Sequence, residues 1–230
     1  MFGTTPESLS VEGGHDTGVL AQRQILLWVA AGCSLVFLVD LGLVVSGSFA
    51  LRDESFRAHV IALCNNGFFQ DIILNGIVAD PYRDSMELVL GGVGSVAVLL
   101  VALRRRWSAL FLLLSVGGAL VLSALIKRAV VRPATVDAEA SHSFPSGHAT
   151  VSLVLFLTLI IVTWSVTEDS MIRRVVAIGA SALLVVYGIS SLLFHYPTEV
   201  LGGYALGGLW LSLLLVGFTT DWRIRWQDHR

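Results

Sequence analysis

The sequence is poor in charge, and its few charges nearly cancel. Only 14% of its 230 residues are charged, and 15 Lys and Arg residues face 17 Asp and Glu residues, for a net charge of -2. Soluble domains average about 25% charged residues. The basic residues occur in short clusters and form no stripe, so a nucleic-acid partner is not expected.

Cysteine is scarce as well. Cys33 and Cys64 lie in or near apolar segments and lack the spacing of a metal site, so buried free thiols are favoured over a disulfide. The first 20 residues lack the apolar core of a signal peptide and are polar. We therefore expect residues 1–22 to form a disordered N-terminal tail in the cytoplasm.

Apolar residues, in contrast, are abundant. They make up 55% of the chain, and the mean hydropathy is +0.77, which indicates an integral membrane protein. Six apolar segments are candidate membrane helices: Ile25–Val45, Leu88–Leu103, Trp107–Ile126, Ala149–Val166, Val175–Phe194 and Val200–Thr219. The sequence thus predicts an all-α, polytopic membrane bundle over residues 23–220, followed by a cytoplasmic tail at 221–230.

Two polar features interrupt this pattern. Residues 52–84 are less hydrophobic and contain Asn65, Asn66 and Pro81, so an extracytoplasmic segment that is either amphipathic and interfacial or re-entrant is expected there instead of a span. Asp40 lies inside the first apolar segment, and we expect it to line the bundle, because a charge facing lipid is costly. The glycine pairs Gly202–Gly203 and Gly207–Gly208 permit close helix contact.

The distribution of basic residues predicts the orientation. Six spans place both termini on one side of the membrane, together with nine of the 15 basic residues. These nine are Arg23, Arg104, Arg105, Arg106, Arg173, Arg174, Arg223, Arg225 and Arg230. Because basic loops remain in the cytoplasm, the termini are expected to be cytoplasmic and the other face of this multi-pass protein extracytoplasmic.

A polar stretch, Ser141–Thr150, separates two of the apolar segments on that outer face. Pro145 excludes a continuous helix, and Ser146 is a suitable N-cap for the helix that follows. The backbone N–H groups of Ser146 and Gly147 are therefore expected to be free to bind an anion. His148 lies beside them, where an imidazole can donate a proton near neutral pH.

Three segments are expected to meet outside the membrane. The end of the third span supplies the cations Lys127, Arg128 and Arg132, and the other two segments supply His148 and His195. Cations, a helix N-terminus and paired histidines are what phosphoryl transfer to a histidine requires. Each feature alone has an ordinary explanation, such as basic residues that anchor a helix end to lipid headgroups.

Glu199 follows His195 by four residues, and Pro197 favours the start of a helix between them. A carboxylate in a first helical turn is stabilised by the helix dipole. It can accept the proton of one imidazole nitrogen and leave the other nitrogen free to attack phosphorus. An acidic cap beside an interfacial histidine is the structural alternative.

Two motifs resemble those of the type 2 phosphatidic acid phosphatase family. Phe-Pro-Ser-Gly-His-Ala-Thr at 144–150 is similar to the central motif, and His-Tyr-Pro-Thr-Glu-Val at 195–200 is similar to the end of the third motif. The resemblance covers roughly residues 86–219. It implies a membrane helical bundle that hydrolyses a lipid phosphomonoester or diphosphate without a metal or cofactor.

The resemblance also implies roles for individual residues. His195 matches the nucleophile that forms a phosphohistidine, and His148 matches the group that protonates the leaving oxygen. Ser146 and the backbone of Gly147 match the phosphate-binding positions. Lys127, Arg128 and Arg132 are candidates for the cations of the first motif.

The chain departs from the family pattern in three places. Arg132-Pro133 stands two residues earlier than the first motif requires, Ile189 occupies the arginine position of the third motif, and Glu199 replaces an aspartate. Loss of one charged contact to the transition state costs about 2 to 4 kcal/mol, or about thirty- to a thousand-fold in rate.

Two other functions are therefore kept open. A catalytically impaired relative that binds lipid phosphate or acts as a membrane scaffold would retain the fold without turnover. A vanadate-dependent haloperoxidase shares the histidine and phosphate-binding motifs, but that family is generally soluble. The substrate of the favoured lipid phosphatase is expected among polyprenyl and glycerolipid phosphates.

Overall fold

The protein is a bundle of helices. The computed structural model describes the backbone of residues 10–64, 84–132 and 141–227, and the side chains of residues 20–63, 90–132 and 141–218. Within these ranges there are seven helices: α1 (Ser10–Ser46), α2 (Ala50–Cys64), α3 (Asp84–Ala102), α4 (Arg106–Ala129), α5 (Gly147–Val166), α6 (Ser170–Phe194) and α7 (Pro197–Gln227). The described ranges contain no strand, so the predicted all-α fold is confirmed.

The helices account for all six predicted apolar segments. Five are long and apolar enough to cross a membrane: Leu20–Ser46 of α1, α4, α5, α6 and Pro197–Phe218 of α7. The apolar part of α3, Leu90–Ala102, is shorter. The prediction of a multi-pass membrane bundle is confirmed, with five full-length candidates and one shorter helix in the described residues.

The regions outside the spans differ from the expectation. The sequence predicts a disordered tail over residues 1–22, but α1 begins at Ser10, so that prediction is wrong for residues 10–22. The first part of the segment at 52–84 lies in α2, which packs on α6 and α7. Residues 1–9, 65–83, 133–140 and 228–230 lie outside the described residues.

Helix α7 is at the centre of the bundle. It packs against α1, α4 and α5, while α5 also contacts α4 and α6, and α3 packs mainly on α4. One core cluster, including Leu112, Val154 and Leu211, fills the space between α4, α5 and α7. A second cluster around Phe37 and Phe144 joins α1 and α7 to the loop before α5.

Glycines on α7 allow this close packing. A Cβ atom at Gly202 would meet the ring of Phe144 and the carboxylate of Asp40, and one at Gly203 would lie 2.6 Å from the carbonyl oxygen of Ser146. Asp40 is buried in α1, as expected for a residue that lines the bundle, and its carboxylate oxygens have no hydrogen-bond partner among the described residues.

Replacement of Gly203 by alanine is expected to destabilise the protein. The added methyl group meets backbone, which cannot rotate away, so α5 and α7 must separate at a cost of about 1 to 3 kcal/mol. Thermal unfolding in detergent should show a lower Tm. Gly217→Ala on the same helix is the matched control, because nothing lies within 4 Å of a Cβ at that position. Equal Tm values for the two variants would contradict the prediction.

Candidate active site

The candidate site lies where the predicted segments meet. The chain leaves α4 and forms an isolated bridge, in which Arg132 N–H donates to the Ser141 carbonyl at 2.8 Å and Ser141 N–H donates back at 3.1 Å. This bridge brings the loop before α5 beside the end of α4. The corner between α6 and α7, residues 195–199, completes the site together with α2.

His195 and Glu199 form a buried pair at that corner. His195 follows the last residue of α6, Pro197 begins α7, and Glu199 lies in the first turn of α7. The Nδ1 atom of His195 is 3.0 Å from Oε2 of Glu199, which also accepts the N–H of Tyr196 at 3.3 Å. A carboxylate bonded to Nδ1 holds the proton there and directs the lone pair of Nε2 away from it.

The ring of His195 lies near the second histidine. The Nε2 atom of His195 is buried and has no hydrogen-bond partner among the described residues. The ring of His148 lies with its centroid 5.9 Å from that of His195. His148 is the second residue of α5, and Ser146 caps that helix by accepting the N–H of Ala149 at 3.4 Å.

The backbone of Ser146 corrects one expectation. Its N–H is not free for an anion, because it donates to the carbonyl oxygen of Glu199 at 2.8 Å. This bond ties the loop before α5 to the first turn of α7, so it fixes the two histidine segments relative to each other. The Ser146 hydroxyl and the backbone of Gly147 remain the candidates at the helix start.

The three expected cations occupy different places. Lys127 is half-buried, and its Nζ atom lies 3.9 Å from where a Cβ of Gly147 would be, so the ammonium group is beside the start of α5. Arg128 is exposed and forms no ion pair within the described part of the chain. Arg132 is buried inside the corner.

Arg132 is engaged with two carboxylates. Its Nη2 atom donates to Oδ2 of Asp53 at 2.8 Å, and Nη1 donates to Oε1 of Glu199 at 3.3 Å. Its guanidinium group stacks on the ring of Tyr196, 3.9 Å from the centroid. Arg132 therefore connects the His195–Glu199 pair to α2.

The sequence interpretation missed Asp53. This residue is buried in the first turn of α2, where Oδ1 accepts the N–H of Thr198 at 3.2 Å and Oδ2 accepts the Thr198 hydroxyl. Asp53 thus caps the N-terminus of α7 while it pairs with Arg132. The sequence offers one indication of its role: Arg57 follows Asp53 by four residues, a spacing that places both side chains on the same face of a helix.

Ser143 was also missed. Its hydroxyl donates to Oε1 of Glu199 in a short hydrogen bond. Glu199 consequently accepts four hydrogen bonds. Its Oε1 atom accepts from Ser143 and Arg132, and its Oε2 atom accepts from His195 and the Tyr196 N–H. The extra methylene of glutamate, relative to aspartate, is accommodated without loss of the bond to His195.

No protein-family model matches the chain. It is 34% identical over 125 residues to phosphatidylglycerophosphatase B of Bacillus subtilis (strain 168), a match that covers 50% of this chain and 60% of that relative. The chain thus aligns with about three fifths of the length of this relative.

A solved structure has the same fold. It is described as the first transmembrane PAP2 type phosphatidylglycerolphosphate phosphatase from Bacillus subtilis. It superposes with a TM-score of 0.64 at 24% identity, covering 85% of this chain and 98% of that one. The chain thus shares the fold of a structure described as PAP2 type and part of the sequence of a phosphatidylglycerophosphatase, in agreement with the resemblance of its motifs to the type 2 phosphatidic acid phosphatase family.

Proposed function

Starting from this resemblance, we propose that the protein is a membrane lipid phosphatase that works through a phosphohistidine intermediate. The observation that carries the proposal is the state of His195. One ring nitrogen is fixed by Glu199, and the other is buried, has no partner among the described residues, and belongs to a ring 5.9 Å from that of His148. This is the arrangement of a nucleophile oriented by a carboxylate.

The first chemical step transfers the phosphoryl group. His195 Nε2 attacks phosphorus while the bond from phosphorus to the lipid oxygen breaks, and His148 gives that oxygen a proton. Glu199 stabilises the imidazolium that forms, as the buried acid does in a serine protease triad. The products are a lipid alcohol and phosphohistidine, or a lipid phosphate if the substrate is a diphosphate.

The second step releases phosphate. A water molecule attacks the phosphorus, His148 accepts its proton, and the bond between phosphorus and Nε2 breaks, which returns both histidines to their starting states. Lys127 and the backbone at the start of α5 stabilise the negative charge on the phosphoryl oxygens in both steps. The chain's own side chains thus complete the cycle.

The names of both similar proteins suggest the substrate class. Each acts on phosphatidylglycerol phosphate, so we propose a glycerolipid phosphomonoester of this kind, with polyprenyl phosphates as the second class to test. The basic turn at Arg104–Arg106 leads into α4, and Lys127 lies in the last turn of that helix. Its 24 residues make a helix about 36 Å long, enough to cross a hydrocarbon core of about 30 Å. The site is therefore proposed to open on the extracytoplasmic side, with the termini in the cytoplasm.

The second candidate is a relative that binds lipid phosphate and does not turn it over. Two observations favour it: Ile189 lies where the third motif has an arginine, and Arg132 is paired with two carboxylates. Purified wild-type protein should be assayed against phosphatidylglycerol phosphate, phosphatidate and undecaprenyl diphosphate. Phosphate release from any of them supports the phosphatase, and binding without release supports the second candidate.

Replacing Glu199 by glutamine should slow the reaction. The amide keeps the size of the side chain but removes the charge that stabilises the His195 imidazolium, so kcat should fall about ten- to a thousand-fold. Phosphate release from phosphatidylglycerol phosphate in detergent micelles measures the change. Glu168→Gln is the control, because Glu168 is exposed near the opposite end of α5. A Glu199→Gln protein with wild-type kcat would be incompatible with this role.

A further inference from the structure

Arg57 contacts residues that precede and follow the proposed nucleophile, His195, in the sequence. Its Nε and Nη2 atoms donate to the carbonyl oxygen of Leu193 at 3.3 and 3.2 Å, and its guanidinium carbon lies 5.4 Å from the centroid of the Tyr196 ring. Leu193 precedes His195 by two residues, and Tyr196 follows it. A side chain from α2 therefore reaches the corner at which the phosphoryl group is proposed to be transferred.

Within the described part of the chain, Arg57 has hydrogen-bond donors that are not used. A guanidinium group carries five N–H donors in a planar fork, and the bonds to Leu193 use only those of Nε and one from Nη2. Its partner is a neutral carbonyl, and Arg57 forms no ion pair among the described residues. Arg132, by contrast, is neutralised by two carboxylates, Asp53 and Glu199.

The charge balance of the site favours a further cation. Asp53 and Glu199 carry two negative charges, which Arg132 and Lys127 together cancel, and His148 carries one positive charge as the proposed proton donor. A phosphate monoester brings about 1.5 to 2 further negative charges at neutral pH, and in the transition state this charge is spread over its equatorial oxygens. Arg57 is half-buried next to this cluster, where partial exclusion of water strengthens its attraction for an anion.

We propose that Arg57 binds the phosphoryl group, an inference that rests on the lipid phosphatase function proposed above. The Nη1 donors and the remaining Nη2 donor contact the phosphoryl oxygens held at His195, while the guanidinium group stays stacked on Tyr196. Arginine suits this role because its fork matches the oxygens of a phosphate. Helix α2 thus supplies a substrate-binding residue from a segment outside both histidine motifs.

A simpler role for Arg57 makes a different prediction. A cation at the C-terminus of α6 that bonds to the Leu193 carbonyl stabilises the helix by capping it. A capping residue affects thermal stability and leaves the affinity for phosphate unchanged. The test therefore measures Tm and phosphate affinity separately on the same variants.

The experiment compares Arg57→Ala, Arg57→Lys and Arg52→Ala in detergent. Arg52 is the matched control, because it lies on the same helix, is exposed and stacks on Phe49. For Arg57→Ala we expect kcat/KM to fall about ten- to a hundred-fold and the inhibition constant of inorganic phosphate to rise about tenfold. Arg57→Lys should recover part of both, and Arg52→Ala should stay within about twofold of wild type.

The outcomes separate this inference from the proposed function. An Arg57→Ala protein with wild-type phosphate inhibition and a lower Tm overturns phosphate binding by Arg57 and leaves the phosphatase standing. If wild type releases no phosphate, stabilisation by inorganic phosphate is measured as a shift in Tm. Its loss in Arg57→Ala alone supports the anion site, and its persistence in that variant overturns it.

Discussion

His195→Ala is expected to reduce phosphate release by about ten-thousand-fold, because removal of a nucleophile leaves only the residual catalysis of the binding groups. The buried imidazole makes no hydrogen bond through Nε2 within the described residues, so its loss should affect chemistry more than the fold. Release of phosphate from phosphatidylglycerol phosphate in micelles measures the effect. Denaturation of wild type during turnover should also trap an acid-labile phosphoryl group that the variant lacks.

His59→Ala provides the control for that experiment. His59 is an exposed histidine on α2 and lies outside the corner that holds His195. If removal of any histidine near this end of the bundle lowered activity by destabilising the protein in detergent, His59→Ala would also lose activity. We expect it to keep wild-type activity. Turnover of His195→Ala within tenfold of wild type would be inconsistent with the phosphohistidine mechanism.

Asp53→Ala is expected to destabilise the protein by about 3 to 5 kcal/mol, the usual cost of removing one partner from a buried ion pair. The change removes the carboxylate from Arg132 and leaves both the N–H and the hydroxyl of Thr198 without their acceptor. For a chain of this length, about 2 to 4 °C of Tm per kcal/mol corresponds to a fall of about 6 to 20 °C. Thermal unfolding in detergent gives the measurement.

Two further variants isolate the cause. Glu54→Ala changes the neighbouring carboxylate on α2, which forms no ion pair among the described residues, and should leave Tm within about 2 °C of wild type. Asp53→Asn keeps an acceptor for Thr198 but loses the charge, so an intermediate Tm is expected. If Asp53→Ala unfolds at the wild-type temperature, α2 does not contribute to the stability of the corner.

These two experiments concern two different parts of one network. Hydrogen bonds link His195, Glu199, Arg132 and Asp53 one after another, from the Nδ1 atom of the proposed nucleophile to α2. Because the chain of contacts is buried, each member is held by the next in a medium of low polarity. We therefore expect Asp53→Ala to lower kcat as well as Tm, whereas His195→Ala should lower kcat far more than it lowers Tm.

Local spacing explains why parts of the site were accessible from sequence. The His195–Glu199 bond joins residues four apart across a helix start, and the Ser146 cap joins residues three apart, so helix geometry alone brings these groups together. The apolar segments likewise define α5 and α6 closely, with predicted ends at Val166 and Phe194 that match the observed ones. Hydrophobicity and local backbone chemistry are properties of short segments.

The choice among the three cations could not be read from sequence. Lys127, Arg128 and Arg132 follow one another closely, but the rotation of the last turn of α4 exposes Arg128 and turns Lys127 toward Gly147. The bridge between residues 132 and 141 then carries Arg132 into the interior. Which side chain faces inward depends on how the helix ends and where the chain returns.

By itself, then, the sequence determined the membrane bundle, the histidine motifs and the local pairing of His195 with Glu199. Only the tertiary structure decided that α2 belongs to the site, that Ser146 donates its N–H to Glu199, and that Arg132 is held by two carboxylates. The contact between Asp53 and Thr198 spans 145 residues. Such contacts depend on how separate helices pack in three dimensions, and no pattern within a single segment encodes them.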